Sequence, residues 1–253
     1  MDKSEQKEVE NNFSDLEIKE LDALFTNFVK QSSFALVIIT LLLYIISPKF
    51  FDRLQYEDGY IENLTVLFLL VALTGLVKYL FSKFDRKNIK NFHYSLNILQ
   101  ILGFFFVSLY ACLQELEFGQ RAFHYEMSEG TKEITKGNGM NLHHRPEMEI
   151  FLAFGAILFS FYTAIIPHIL REPFSNHLPF KLKKNLSPLI VKIPRSLVPA
   201  FLTGIFLALL QEVSFLFTDE LEEFNEYSEV CFAYALALLG IYLWKSTKKE
   251  GQI

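Results

Sequence analysis

The chain has 253 residues, of which 51% are hydrophobic, and its net charge is −5 at neutral pH. This apolar fraction, which includes 27 phenylalanines, exceeds what the core of a soluble domain of this length needs. The acidic balance and the lack of basic surface interleaved with aromatic residues argue against nucleic acid as a partner. The composition predicts an integral membrane protein whose main partner is the lipid bilayer.

The hydrophobic residues form six blocks, each close to the roughly 20 residues with which a helix crosses the hydrocarbon core of a membrane. We therefore predict an all-α, polytopic membrane protein with six transmembrane helices, at 34–51, 63–81, 94–113, 150–168, 197–217 and 230–244. The first and last blocks are the shortest and need interfacial residues to complete a crossing. The predicted domains are an acidic cytoplasmic tail with an amphipathic helix (1–30), the six-helix domain (31–245) and a basic cytoplasmic tail (246–253).

Lysine and arginine are concentrated in alternate connections between the predicted spans. The connection after the second span holds four of these basic residues, and the connection after the fourth holds six. The connection between the fifth and sixth spans, Thr218–Glu229, has six carboxylates and no lysine or arginine. Because short cytoplasmic loops retain basic residues during insertion, both termini are predicted to be cytoplasmic.

The first thirty residues are acidic and mixed, and lack the basic start, short apolar core and small-residue cleavage site of a cleavable signal peptide. The first span then acts as its own insertion signal, and we expect a multi-pass protein of the bacterial inner membrane, which is the plasma membrane. Ser14 and Glu17 form a capping-box pattern ahead of an apolar helical face. The segment 14–30 either lies on the inner membrane surface or packs under the bundle, and it is the candidate contact for a cytoplasmic protein partner.

Two cysteines, Cys112 and Cys231, lie near the outer ends of the third and sixth predicted spans. They are too few for a disulfide framework or a four-ligand metal site. They form one bridge if the two helices are neighbours in an oxidising compartment, or else remain buried thiols.

Polar residues gather near the predicted outer face, where Glu115 and Glu212 lie embedded at the ends of apolar runs. Ionised side chains are costly there unless they are paired or hydrated, so such residues are functional candidates. The sequence LQELEF at 113–118 recurs as LQEVSF at 210–215. Either the two glutamates share a cavity, where they could share a proton, hold a cation or form an acid and base pair, or the echo is a chance similarity between two helices rich in phenylalanine and leucine.

If the helix continues past Glu115, then Glu117, Arg121 and His124 fall on one of its faces. Arg121 then has two interpretations. It neutralises a carboxylate at the level of the lipid headgroups, or it positions an anionic substrate beside Glu115.

The same predicted outer loop contains the sequence GNGMNLHHRPEME, with adjacent histidines. Imidazole and carboxylate groups together can bind zinc or a similar divalent cation. The candidate metal ligands are His124, His143 and His144. Their spacing is not diagnostic, and the alternative is a polar loop in which one histidine makes a structural hydrogen bond, so the cofactor is left unassigned.

The segments EDGYIENLT (57–65), QELEFGQR (114–121) and NLHH (141–144), with an acidic lead into the last span, resemble a family of uncharacterised bacterial polytopic membrane proteins. Its members typically show an EDG-type segment, EEISWGQR and NLHN in this order. Gln114 stands where the family usually has a glutamate, and His144 where it has asparagine. The resemblance implies a shared outer-face site, without a known activity, at Glu57, Asp58, Gly59, Glu62, Glu115, Gly119, Gln120, Arg121, Asn141, Leu142 and His143.

Three functions fit these observations. The first is a membrane-embedded hydrolase or transferase that acts on a lipid-like substrate, with Glu115 as general base, Arg121 holding a phosphate or carboxylate, and His143 or His124 as acid or metal ligand. Its substrate-binding candidates are Glu57, Asp58, Glu62, Gln120 and Asn141. The second is a proton or cation transporter or channel that uses Glu115 and Glu212. The third is a non-catalytic membrane subunit or sensor.

Overall fold

The computed structural model is helical throughout the residues that it describes and has no strand among them. These residues are 3–55, 60–84, 92–116, 155, 157–159, 161–162, 195–215 and 225–250, with backbone alone for stretches that include 3–22 and 211–215. The helices are α1 (Lys3–Ile46), α2 (Pro48–Gln55), α3 (Tyr60–Lys83), α4 (Phe92–Glu115), α5 (Val198–Phe215) and α6 (Asn225–Glu250). A 3₁₀ turn, Arg195–Leu197, leads into α5.

Four helical segments are long and apolar enough to cross a membrane: Ala23–Ile46, Tyr60–Lys83, Asn97–Glu115 and Glu226–Thr247. They correspond to the first, second, third and sixth predicted spans. Of the predicted fifth span, 197–217, the described side chains include the apolar segment Val198–Leu210 of α5. Most of the predicted fourth span, 150–168, lies outside the described residues. The structure therefore supports an all-α membrane protein, whereas the count of six spans stays a prediction.

The first span is displaced from its predicted position because the chain breaks its helix at a proline. Pro48 has no backbone N–H, and its ring disfavours a helical conformation at Ser47. The Ser47 carbonyl oxygen accepts two backbone hydrogen bonds of 2.9 Å from the next turn, so a new helix, α2, begins here. The predicted boundaries 34–51 are therefore wrong, and the apolar crossing segment is Ala23–Ile46.

The helix α6 lies at the centre of the described bundle. Of the residues in its apolar segment 61% are buried, compared with 17% for α1 and 33% for α3 and for α4. Phe68 packs against Tyr234 and Lys78 contacts Trp244, so α3 runs parallel to α6. Large hydrophobic side chains exposed on α1, α3, α4 and α5 form the surface that lipid would cover.

The helices α1 and α5 also pack around α6, and both run antiparallel to it. Ser32 hydrogen-bonds Tyr234 through their hydroxyl groups, and Lys245 lies over the ring of Phe25. These two contacts place the start of the first span and the end of the last at the same end of the bundle. On the α5 side, Gly204 faces the ring of Phe232.

The helix α4 packs on α3 in the antiparallel direction. A helix of 24 residues, the length of α3, is about 36 Å long. The connection 84–91 can span about 28 Å at most, so it is too short to return to the level where α3 starts. The helix α4 therefore begins near the end of α3 and runs in the opposite direction. The described residues of the predicted fourth span pack on α4 in turn: Gln100 Nε2 donates a 3.1 Å hydrogen bond to Tyr162 Oη, and Phe104 meets Phe159 edge to face.

Small residues let the backbones of α3 and α6 touch. A Cβ atom added at Gly75 would lie 2.7 Å from the Cα of Gly240, and one added at Gly240 would lie 2.8 Å from the carbonyl oxygen of Ala72. Close approach of this kind replaces the hydrophobic effect as the source of helix association in lipid. The crossing fixes the relative height of α3 and α6, and with it the level of their polar residues.

Candidate functional site

Two carboxylic acids are buried at one end of the bundle. Glu62, in the first turn of α3, is 5% exposed, and Glu115, the last residue of α4, is 6% exposed. Because α3 and α4 are antiparallel, the start of one helix and the end of the other lie at the same end. The partial positive charge at the start of a helix is favourable for the Glu62 carboxylate.

Both acids belong to the buried faces of their helices. Buried residues recur at intervals of three or four on α3 and on α4, the pattern of a helix face packed on its neighbours. The series are Glu62, Thr65, Leu69, Ala72, Leu76 and Tyr79 on α3, and Ile98, Ile101, Phe104, Ser108, Cys112 and Glu115 on α4. In each series the acid is the member nearest this end of the bundle.

The central helix contributes a buried hydroxyl group to this end. Ser228, in the first turn of α6, is 3% exposed. Phe68 of α3 packs on Tyr234 of α6, and the two helices are parallel. Six residues earlier on each helix, Ser228 therefore lies at the level of Glu62. One turn deeper on α3, the hydroxyl of Thr65 is buried and donates to the carbonyl oxygen of Ile61 at 3.1 Å.

A buried amide lies beside Glu115 in the chain. Gln114 is 3% exposed, and its Nε2 donates a 3.0 Å hydrogen bond to the hydroxyl oxygen of Tyr110. Tyr110 itself is 39% exposed on the apolar surface of α4. This hydrogen bond joins a buried amide to the face of α4 that lipid would cover.

The short helix α2 packs over the start of α6. Phe51 is fully buried, and its ring stacks on that of Tyr227 with centroids 4.2 Å apart. The hydroxyl of Tyr227 donates to the carbonyl oxygen of Phe51 at 3.3 Å, and Tyr44 packs against Phe51 edge to face. Phe51 thus holds α2 beside Ser228, the neighbour of Tyr227 in the chain.

These groups define what this end of the bundle can do chemically. Carboxylic acids exchange protons or bind cations, and an amide and hydroxyls orient a polar substrate by hydrogen bonding. Glu62, Thr65, Gln114, Glu115 and Ser228 form the outer polar site, which takes its name from the membrane face predicted for it from the sequence. Its acids lie at the ends of apolar spans, the setting in which ionisable residues mark substrate or ion sites.

Two of the site residues predicted from the sequence, Glu62 and Glu115, are buried at the same end of the bundle. Glu212 belongs to the last turns of α5, and its side chain is not described. The other predicted residues lie outside the described part of the chain: Glu57, Asp58, Gln120, Arg121, His124, Asn141, His143 and His144. The described side chains contain no group of three metal-binding residues, so the zinc site stays a prediction.

Sequence reasoning did not select Thr65 or Ser228. The first lies within the quoted EDGYIENLT segment, but only the helix packing distinguishes its buried hydroxyl from an ordinary helical threonine. The second follows an acidic stretch that reads as an exposed loop. Of the two alternatives for the cysteines, the structure has buried free thiols at Cys112 and Cys231.

Comparison with known proteins finds no relative of this chain. No protein-family model matches the chain, and no curated protein and no solved structure matches it. The resemblance to the bacterial membrane family therefore rests on its motifs alone and stays a prediction.

Proposed function

We propose that this chain is an enzyme of the bacterial inner membrane, a hydrolase or transferase that acts on a lipid-like substrate at the extracytoplasmic face. The observation that carries the proposal is the burial of both Glu62 and Glu115 at one end of a bundle with an apolar outer surface. Two buried carboxylic acids suit general acid and base catalysis, in which one group accepts a proton and another donates it.

The surface of α4 supports a lipid as the substrate. Leu113 and Tyr110 are 37% and 39% exposed, within five residues of Glu115. An acyl chain lying against this face would bring its polar headgroup to the level of the outer polar site. Glu115 would then act as general base, and Gln114, through its contact with Tyr110, would orient the substrate.

The remaining roles in the proposal come from the sequence. Arg121 would hold a phosphate or carboxylate, and His143 would serve as acid or as ligand of a divalent metal such as zinc. Membership of the family with the EDG, EEISWGQR and NLHN motifs belongs to the same proposal, supported by the order of the motifs. Cytoplasmic termini are supported by the basic connections. They are also supported by the contact of Lys245 with Phe25, which places the start of the first span and the end of the last span at the same end of the bundle.

The test is lipid turnover by the purified protein in vesicles of defined composition, followed by mass spectrometry of the products. Glu115→Gln keeps the size of the side chain and removes its basicity, and we expect the rate to fall by about a hundredfold or more. Glu226→Gln is the matched control, since this carboxylic acid is half-buried in the first turn of α6. Turnover by Glu115→Gln at the wild-type rate, or no turnover of any lipid class by the wild-type protein, contradicts the proposal.

A second candidate function is transport of protons or cations, and the burial of two carboxylic acids at one end of the bundle favours it. Two acids at one level can bind a proton or cation between them and release it. In vesicles with an internal pH dye, a carrier would produce flux that both Glu62→Gln and Glu115→Gln abolish. An enzyme would give lipid products without proton or cation flux. Measuring both products and flux on the same set of variants therefore distinguishes the two functions.

A further inference from the structure

The end of the bundle opposite the outer polar site carries exposed lysines inside or next to the membrane spans. Lys78 lies within the span Tyr60–Lys83, five residues before its end, and its side chain is exposed. Lys245 is exposed near the end of α6, and Lys30 near the start of the first span. An ammonium group at such a depth is costly unless its long stem carries it to polar partners at the membrane surface.

Two of these lysines are held over aromatic rings of neighbouring helices. The Nζ atom of Lys78 lies 3.8 Å from the ring centroid of Trp244, and that of Lys245 lies 5.5 Å from the ring centroid of Phe25. The contacts join α3 to α6 and α6 to α1. An aromatic ring stabilises the ammonium on one side by a cation–π interaction and leaves its other side available to an anion.

No described side chain at this end of α1, α3, α4, α5 or α6 is acidic. Among the side chains that the structure describes, neither Lys78 nor Lys245 makes an ion pair. Both ammonium groups lie near the ends of their spans, at the level of the headgroups of a bilayer. Tryptophan is enriched at this level because its ring is apolar and its N–H is polar.

We propose that this basic and aromatic end, formed by Phe25, Lys78, Trp244 and Lys245, binds the headgroups of anionic phospholipids. Lys78 and Lys245 contact the phosphate groups, and Trp244 packs at the junction of headgroup and acyl chain. The occupant is a lipid because Lys78 lies within a span, where a bilayer already places phosphate above the helix surface. This binding is independent of the chemistry at the outer polar site.

The chain offers its own reporter for the test, because Trp244 is its only tryptophan. The full protein is reconstituted with brominated phosphatidylglycerol or brominated phosphatidylcholine at equal mole fractions, and quenching of Trp244 fluorescence is measured. We expect stronger quenching by phosphatidylglycerol. Because one lysine near an anionic surface contributes about a fivefold preference, Lys78→Gln should lower the preference for phosphatidylglycerol by about that factor.

Two further variants control this experiment. Lys78→Arg keeps the positive charge and should retain the preference for phosphatidylglycerol. Lys49→Gln removes an exposed lysine from α2, at the other end of the bundle, and should change nothing. Equal quenching of the wild-type protein by both lipids overturns the proposal, as does an equal loss of preference in Lys49→Gln and Lys78→Gln.

Discussion

The contact between Gly75 and Gly240 predicts a large effect from a single added methyl group. In Gly75→Ala the new Cβ would lie 2.7 Å from the Cα of Gly240, a backbone atom that cannot rotate away. Carbon atoms pack best at about 3.5–4.0 Å, so α3 and α6 would have to separate by about 1 Å. A gap of this size weakens the dispersion contacts of the whole crossing, and overpacking costs of this kind are about 1–3 kcal/mol.

Gly103 provides the matched control for this substitution. It lies on α4, and a Cβ atom added there meets no heavy atom within 4 Å. Gly103→Ala should therefore be neutral, or more stable by up to about 1 kcal/mol because alanine is the better helix former. The difference between the two alanine variants, about 1–4 kcal/mol, then measures the contact itself.

The assay is the free energy of unfolding in mixed micelles, measured as the fraction of denaturing detergent is raised. Gly240→Ala should resemble Gly75→Ala, since its Cβ would lie 2.8 Å from the carbonyl oxygen of Ala72. The double variant should cost less than the two single costs together, because the helices separate only once. If Gly75→Ala is as stable as Gly103→Ala, then α3 and α6 do not cross at these glycines and the reasoning is refuted.

Two further predictions concern the other contacts of α6. Phe51→Ala removes the buried ring that stacks on Tyr227, and the same unfolding assay should show a loss of about 3 kcal/mol, whereas Phe50→Ala, at a position 49% exposed, should change stability little. Equal effects at these adjacent phenylalanines would show that α2 does not pack on α6. Tyr234→Phe removes the hydrogen bond with Ser32 and should cost only about 0.6 kcal/mol, because the Ser32 hydroxyl can still donate to the carbonyl oxygen of Phe28 at 2.6 Å. A loss several times larger would mean that Tyr234 also anchors α6 in some other way.

The spans were predictable where apolar residues alone decide the structure. The predicted second span, 63–81, lies within Tyr60–Lys83, and the predicted third, 94–113, lies within α4. The first span was misplaced because a count of apolar residues takes no account of Pro48, which ends the helix. The last was predicted too short, since α6 lies at the centre of the bundle, where its first turns pack on protein and can include Ser228 and acidic residues.

Only the acidic residues of the candidate site are recognisable from the sequence. An embedded carboxylate such as Glu115 is conspicuous in a sequence because ionised groups are rare at the ends of apolar runs. The other buried acid described at this end is Glu62, which had been predicted to bind substrate, whereas the sequence echo had pointed to Glu212. The relative height of two helices depends on their crossing point, and a single sequence does not give it. Hydroxyl groups such as that of Ser228 become recognisable only after that height is known.

The central position of α6 has a consequence for how the protein is made. α6 follows every other described helix in the chain, so it leaves the ribosome after them. Until then, the glycine face of α3 and the inner faces of α1 and α5 lack the helix on which they pack. These helices therefore enter the membrane before their contacts with α6 can form. The bundle assembles when α6 enters, and its entry also completes the outer polar site, to which it adds Ser228.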